Sequence, residues 1–185
     1  MIADYVIAIW IASMAAIGAR LFYLLIKTKR KFFGKPFLNP YVFYAGKLAL
    51  LGTWVAALFE IIGITNNPSI GWAEPLIIAL VVMSWFLVFP AEWVLGTRLK
   101  PGIPSEETEL ETRGVYRYTR HPLYLGAYFF GAASVLYAPS WYNALFFVVL
   151  VVVHQLIIRE EEKYLAKKFK DKWRSYASKV PRFLF

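Results

Sequence analysis

Gly114-Val115-Tyr116-Arg117-Tyr118-Thr119-Arg120-His121-Pro122-Leu123-Tyr124, with Glu161-Glu162 about forty residues on, is the stretch from which the rest of the chain can be read. This polar, aromatic and basic cluster opens one apolar segment, 123–137. The paired acids close the next, 141–158, and Ala138-Pro139-Ser140 separates the two. Pro139 removes a backbone donor, while Ser140 and Asn143 suit a turn or helix start, so the segments read as a helical hairpin. A hairpin returns to the side it left, which puts both polar clusters at one membrane face.

Working outward, segments 4–26, 41–64 and 72–95 each reach the roughly twenty apolar residues needed to cross a bilayer as a helix. The expectation is an all-α integral membrane protein with five transmembrane helices. A composition of 59% hydrophobic and 18% aromatic residues lies far from that of a soluble domain. The 185 residues amount to a single domain, most of it needed for the spans. Without cysteine there is no disulfide framework, thiolate metal site or thiol nucleophile, and no metal site is expected. The amino terminus lacks a basic flank and a small-residue cleavage site, so it reads as a retained first helix.

Lysine and arginine set the orientation, because short cytoplasmic loops carry the positive excess. Lys27, Lys29, Arg30, Lys31 and Lys35 fill the first connection, and the second, 65–71, holds none. Arg98, Lys100, Arg113, Arg117 and Arg120 fill the third, the 137–140 turn holds none, and the tail from Arg159 is basic. The alternation places the amino terminus outside and the carboxyl terminus in the cytoplasm. It also accounts for the +9 charge without nucleic acid, since the basic residues flank spans rather than form a separate basic patch.

From Glu160 to Lys179 the periodicity is that of an amphipathic helix. Ile158, Leu165, Phe169, Trp173 and Tyr176 form one stripe, with Lys163, Lys167, Lys170 and Arg174 opposite. At about 100° per residue Glu160 falls among the lysines, while Glu161 and Glu162 flank the apolar stripe. The same count puts His154 on nearly the face of Glu161 and aligns Gln155 with Glu162. Polar groups at that depth are costly unless paired, which makes them functional candidates. Read blandly, Glu161 and Glu162 are a charged turn of a surface helix. Against that, Glu160 meets Lys163 three residues on, whereas Glu161 and Glu162 meet only Tyr164, Leu165 and Ala166 at such spacings.

Proline favours the first position of a helix, so His121 is the expected N-cap of the fourth span. Its free amides, with Arg120 and the positive helix end, suit a carboxylate or phosphate. Tyr116, Tyr118 and Tyr124 offer aromatic faces to a flat ring or a cation. An interfacial anchor belt of Tyr and Arg accounts for the spacing equally well.

Gly114-x-Tyr116-x-x-x-Arg120-His121-Pro122-x-Tyr124-x-Gly126 is followed by Glu161-Glu162-x-x-Leu165-x-x-x-Phe169, then by Trp173, Tyr176 and Val180-Pro181-Arg182-Phe183. In this order the residues resemble the integral membrane methyltransferases that include isoprenylcysteine carboxyl methyltransferase and the phospholipid methyltransferases. The resemblance implies S-adenosylmethionine bound by the part 96–185, behind three N-terminal helices in 1–95, with methyl transfer to a lipophilic or lipidated acceptor entering from the bilayer. It implies cofactor-binding roles for Tyr116, Arg120, His121, Tyr124, Glu161 and Glu162. Glu162, Arg159 and His154 are the catalytic candidates, Glu162 or His154 as the base an amine acceptor would require.

Two departures bear on this. The isoprenylcysteine enzymes carry an arginine one turn before the glutamate pair, where this chain has Ile157, and Arg159 replaces it only if the helix start is irregular. The usual glycine after Phe169 is Lys170, which a continuous helix tolerates. The rival readings are an NADPH-dependent membrane sterol-type reductase, which shares an Arg-His-Pro segment, and a non-catalytic lipid-binding scaffold. Leu123 and Gly126-Ala127 depart from the reductase pattern. Among other polar residues, Lys47 and Arg20 are placed to snorkel. Glu92 suits a pocket wall or an ion pair, Glu60 lies at the far face, and Glu106, Glu107, Glu109 and Glu111 read as a solvated loop. The sequence carries no guide to oligomeric state.

Overall fold

The computed structural model describes residues 2–27, 36, 38–64, 71–96 and 109–184. Five α-helices follow one another: α1 (Ile2–Lys27), α2 (Pro40–Ile61), α3 (Glu74–Leu95), α4 (Pro122–Tyr137) and α5 (Trp141–Ala177). No strand occurs among the described residues. Four of the helices, all but α4, are long and apolar enough to cross a membrane. At 1.5 Å per residue α4 is only about 24 Å long, against a hydrocarbon thickness of about 30 Å. Large apolar side chains cover the outside, with Phe86 66% and Val148 56% exposed, which is the surface of a protein solvated by lipid. Lys29, Arg30, Lys31, Lys35, Arg98 and Lys100, on which much of the orientation argument rests, lie outside the described residues, as do Glu106 and Glu107.

Helix boundaries follow local chemistry. Asn39 accepts a hydrogen bond from the Tyr41 amide and Pro40 opens α2. That helix stops at Ile61, earlier than the expected 64, because Gly63 turns to φ 71°. The Ile64 and Gly63 amides then donate back to the Phe59 and Glu60 carbonyls in a Schellman closure. The α4–α5 hairpin forms where Pro139 and Ser140 place it, with Ser140 as N-cap of α5. Asn143, wholly buried, donates to the Ser134 and Ala138 carbonyls, both at 3.0 Å, and so locks the turn. Asn143→Ala is expected to lower unfolding stability by about 1–2 kcal/mol, since the Ala138 carbonyl loses its amide donor while the Ser134 carbonyl keeps only the Ala138 backbone amide; thermal unfolding in detergent measures it.

The core is built mainly by α1, α3 and α4 around Trp10, Val81 and Phe130. Trp10 stacks on Phe130 at 3.7 Å and donates to Ser84, which donates to the Gly126 carbonyl. At Gly126 a β-carbon would lie 2.4 Å from Val88, so glycine is what lets α3 and α4 approach. Helix α2 packs chiefly on α5 through Phe43, Val153 and Ile157.

The tail differs from expectation at one residue. Helical structure runs from Trp141 to Ala177 but kinks at Lys170, whose backbone is at φ 45°, ψ −116°. The helix is therefore not continuous there, and Lys170 occupies a conformation that glycine adopts freely and other residues adopt at a cost of about 1–3 kcal/mol. The bend turns Trp173 inward while Lys163, Lys167 and Arg174 stay exposed. Lys170→Gly is expected to raise stability by about 1 kcal/mol, less than the strain relieved because glycine gains freedom when unfolded. An unchanged or lower unfolding midpoint would contradict the strain.

Candidate functional site

The start of α4 forms as its sequence dictates: Pro122 is the first helical residue and His121 the N-cap. The His121 side chain makes no capping bond, however. It points across to α5, where Nε2 lies 3.2 Å from Glu162 Oε1. The backbone before it is clasped by the carboxyl-terminal segment. The Arg120 amide donates to the Pro181 carbonyl at 3.0 Å, Thr119 Oγ1 donates to the Arg182 carbonyl at 3.0 Å, and Tyr176 donates to the Tyr116 carbonyl at 2.7 Å.

Glu162 is the hub. Besides His121, its carboxylate meets Arg120 Nη2 at 3.4 Å and Arg182 Nε at 3.2 Å, and Arg182 Nη2 closes a second, shorter bond to Oε2. Burial pushes this carboxyl up, but the hydrogen bonds from His121 and Arg182 and the charge of Arg120 together outweigh it and hold the group at about 2. The same contact raises the Arg182 guanidinium further. The Glu162 carboxylate thus sits between two arginines.

Glu161 is the second acid, and its Oε2 accepts from the Tyr124 hydroxyl at 3.1 Å. The ring of His154 packs edge-on to Tyr124 at 5.1 Å, as the shared helix face with Glu161 required. Burial pushes the Tyr116 hydroxyl far up, with Glu161 adding to the shift, so it stays a neutral phenol. Tyr176 is likewise pushed up to about 12 by burial. Arg120 Nε, Glu92 Oε2 and both ring nitrogens of His154 are buried without a hydrogen-bond partner among the described residues. Buried polar groups left unpaired in this way call for an explanation.

The structure thus brings Tyr116, Arg120, His121, Tyr124, Glu161, Glu162 and His154 together where the start of α4 faces the middle of α5. It does not bring Arg159. That side chain is exposed on the outward face it shares with Leu156 and Lys163, while Ile157 and Ile158 fill the buried positions. The irregular start that would have turned Arg159 inward is absent, since α5 is regular through this turn. Tyr118 is 69% exposed and offers no face to the cluster. Gln155 bonds to Tyr128 at 3.5 Å rather than joining Glu162. Glu92 forms no ion pair among the described residues, against the ion-pair reading.

Two residues emerge only in three dimensions. Arg182 lies in the Val180-Pro181-Arg182-Phe183 run, a signal that was visible but carried no role until the chain folded back. Lys47 does not simply snorkel; its Nζ lies 5.4 Å from the Phe43 ring and 6.0 Å from that of Tyr124.

Apolar helices sheathed in exposed hydrophobic side chains, with a charged cluster between the start of α4 and the middle of α5, define an integral membrane protein. Residues 75–172, more than half of the chain and including α4 and nearly all of α5, match the phospholipid methyltransferase family, and the chain belongs to it. It is also similar to the protein-S-isoprenylcysteine O-methyltransferase of Schizosaccharomyces pombe, with 34% identity over 73 residues, or 39% of this chain and 31% of that one. The match thus spans less than a third of that relative's length. No solved structure matches.

Proposed function

We propose that this chain transfers a methyl group from S-adenosylmethionine to a lipophilic acceptor, an isoprenylcysteine-like carboxylate or a lipid headgroup, at the membrane face where α4 begins. The observation that carries the reading is the meeting of Arg120, His121 and Glu162 beside Glu161 and Tyr124, inside the region that matches the family. The unpaired groups fit the donor's amino-acid end, which is a zwitterion. Arg120 Nε is free to donate to its carboxylate, and Glu161 and Glu92 offer oxygen to its ammonium. Tyr116 and Tyr124 supply aromatic surface for the adenine or the cation. When bound, S-adenosylmethionine supplies a methyl group that its sulfonium already makes electrophilic.

The chain's own contribution is then positioning, in which alignment of two reactants removes much of the barrier. Glu162 holds Arg120, His121 and Arg182 in place and, engaged by three partners, is a positioning residue rather than a free base. With the basic loops facing the cytoplasm the site opens there, the amino terminus lying outside.

Calorimetric titration of the detergent-solubilised protein tests the reading, with S-adenosylhomocysteine and NADPH as separate ligands. Binding of S-adenosylhomocysteine alone is the expected result. Binding of NADPH alone would select a reductase and end it.

A further inference from the structure

Two polar side chains inside the apolar layer are not used by the donor site. His154 is 1% exposed and neither ring nitrogen has a hydrogen-bond partner among the described residues. A buried imidazole left so is destabilising by itself, which points to a partner that comes from outside the chain. Lys47, on the facing helix, forms no ion pair among the described residues. Its Nζ lies 6.0 Å from the centroid of the same Tyr124 ring that His154 meets at 5.1 Å.

The backbone is shaped to bring the two together. At Gly46 a β-carbon would stand 2.7 Å from Val153 and 3.7 Å from His154 Cδ2, so glycine before Lys47 is what allows α2 to close on α5 at this level. Lys47 lies seven residues into α2, about 10 Å along its axis. The pair therefore sits deeper than Glu161, on the lipid side of Tyr124, with Tyr128 at 6.3 Å from the imidazole.

We propose that Lys47 and His154 form a second anion subsite, below the donor site, that selects amphiphiles whose headgroup carries a negative charge. The ammonium supplies the counter-charge and an imidazole N–H donates to the same group. A cation at this depth disfavours a protonated amine headgroup, so the subsite sorts acceptors by charge. The chemistry is that of a carboxylate or a phosphate ester, and it rests on the methyl-transfer reading only in taking the bound amphiphile to be the acceptor.

Calorimetry on the full chain in neutral detergent tests this with three probes: N-acetyl-S-hexadecylcysteine, its carboxamide, and hexadecyl phosphate. The wild-type protein should bind at least one anion about tenfold more tightly than the carboxamide. Preference for the first anion identifies a carboxylate source, and preference for the second a phosphate source. Lys47→Met should abolish the preference and leave carboxamide and S-adenosylhomocysteine affinities unchanged, which also shows that it folds. Lys47→Arg should keep the preference. Equal binding of all three probes, binding of neither anion, or a preference that survives Lys47→Met overturns the subsite. Failure of S-adenosylhomocysteine to bind the wild-type protein defeats the methyl-transfer reading and leaves the anion preference standing.

Discussion

Glu162→Gln is expected to abolish measurable S-adenosylhomocysteine binding, or to weaken it by at least about a hundredfold, and to lower stability by about 2–3 kcal/mol. Glu162 is 14% exposed in its side chain, and Arg120 and Arg182 both depend on it for a counter-charge. Breaking a buried pair by removing one partner costs about 3–5 kcal/mol, because the other charge stays behind unpaired. Arg182, 37% exposed, can recover water, which trims the figure. Arg120 cannot do so as easily, and it would swing away from the position from which its Nε is proposed to meet the donor's carboxylate.

The acid dependence of stability follows from the same carboxylate. Its value is depressed from 4.5 to about 2, so its contribution is fully present above pH 4.5 and drains away as pH falls toward 2. Thermal unfolding between pH 6 and pH 2.5 should therefore show a loss in the wild-type protein that Glu162→Gln lacks. Parallel curves for the two would mean that Glu162 does not carry the linkage. Glu161→Gln serves as the contrast, because it keeps the Tyr124 bond and disturbs no arginine.

What could be read in advance, and what could not, follows from how far each inference had to reach along the chain. Within one regular helix the count of 100° per residue holds, so the shared face of His154 and Glu161 was legible from spacing alone, while the meeting of that face with Tyr124 was not. So was the pairing of Glu160 with Lys163, found at 2.6 Å. The hairpin was legible because Pro139, Ser140 and Asn143 act on their immediate neighbours. Lys170 was not, since its backbone is bent by the docking of Trp173 and the tail, and lysine carries none of the local signal that glycine would. Arg159 could reach the cluster only through an irregular helix start, and the helix is regular through that turn. The direction of Lys47 is not legible in the sequence, because it depends on how α2 rotates against α5, which Gly46 and Val153 decide by contact.

The second large effect concerns Arg182. Arg182→Ala is expected to weaken S-adenosylhomocysteine binding by about tenfold or more while costing less stability than Glu162→Gln. The side chain gives Glu162 two of its hydrogen bonds, and a fork-shaped guanidinium fixes the plane of the carboxylate it grips. Without it Glu162 keeps His121 and the counter-charge of Arg120, but the orientation loosens. The backbone clasp through the Pro181 and Arg182 carbonyls is untouched by the substitution. Lost affinity would thus report on the side chain and not on a detached tail. Arg182→Lys separates charge from geometry: an ammonium restores the charge yet cannot span both carboxylate oxygens, so it should recover only part of the binding. Full recovery with lysine would show that Arg182 acts as a point charge, and unchanged binding in Arg182→Ala would remove it from the site.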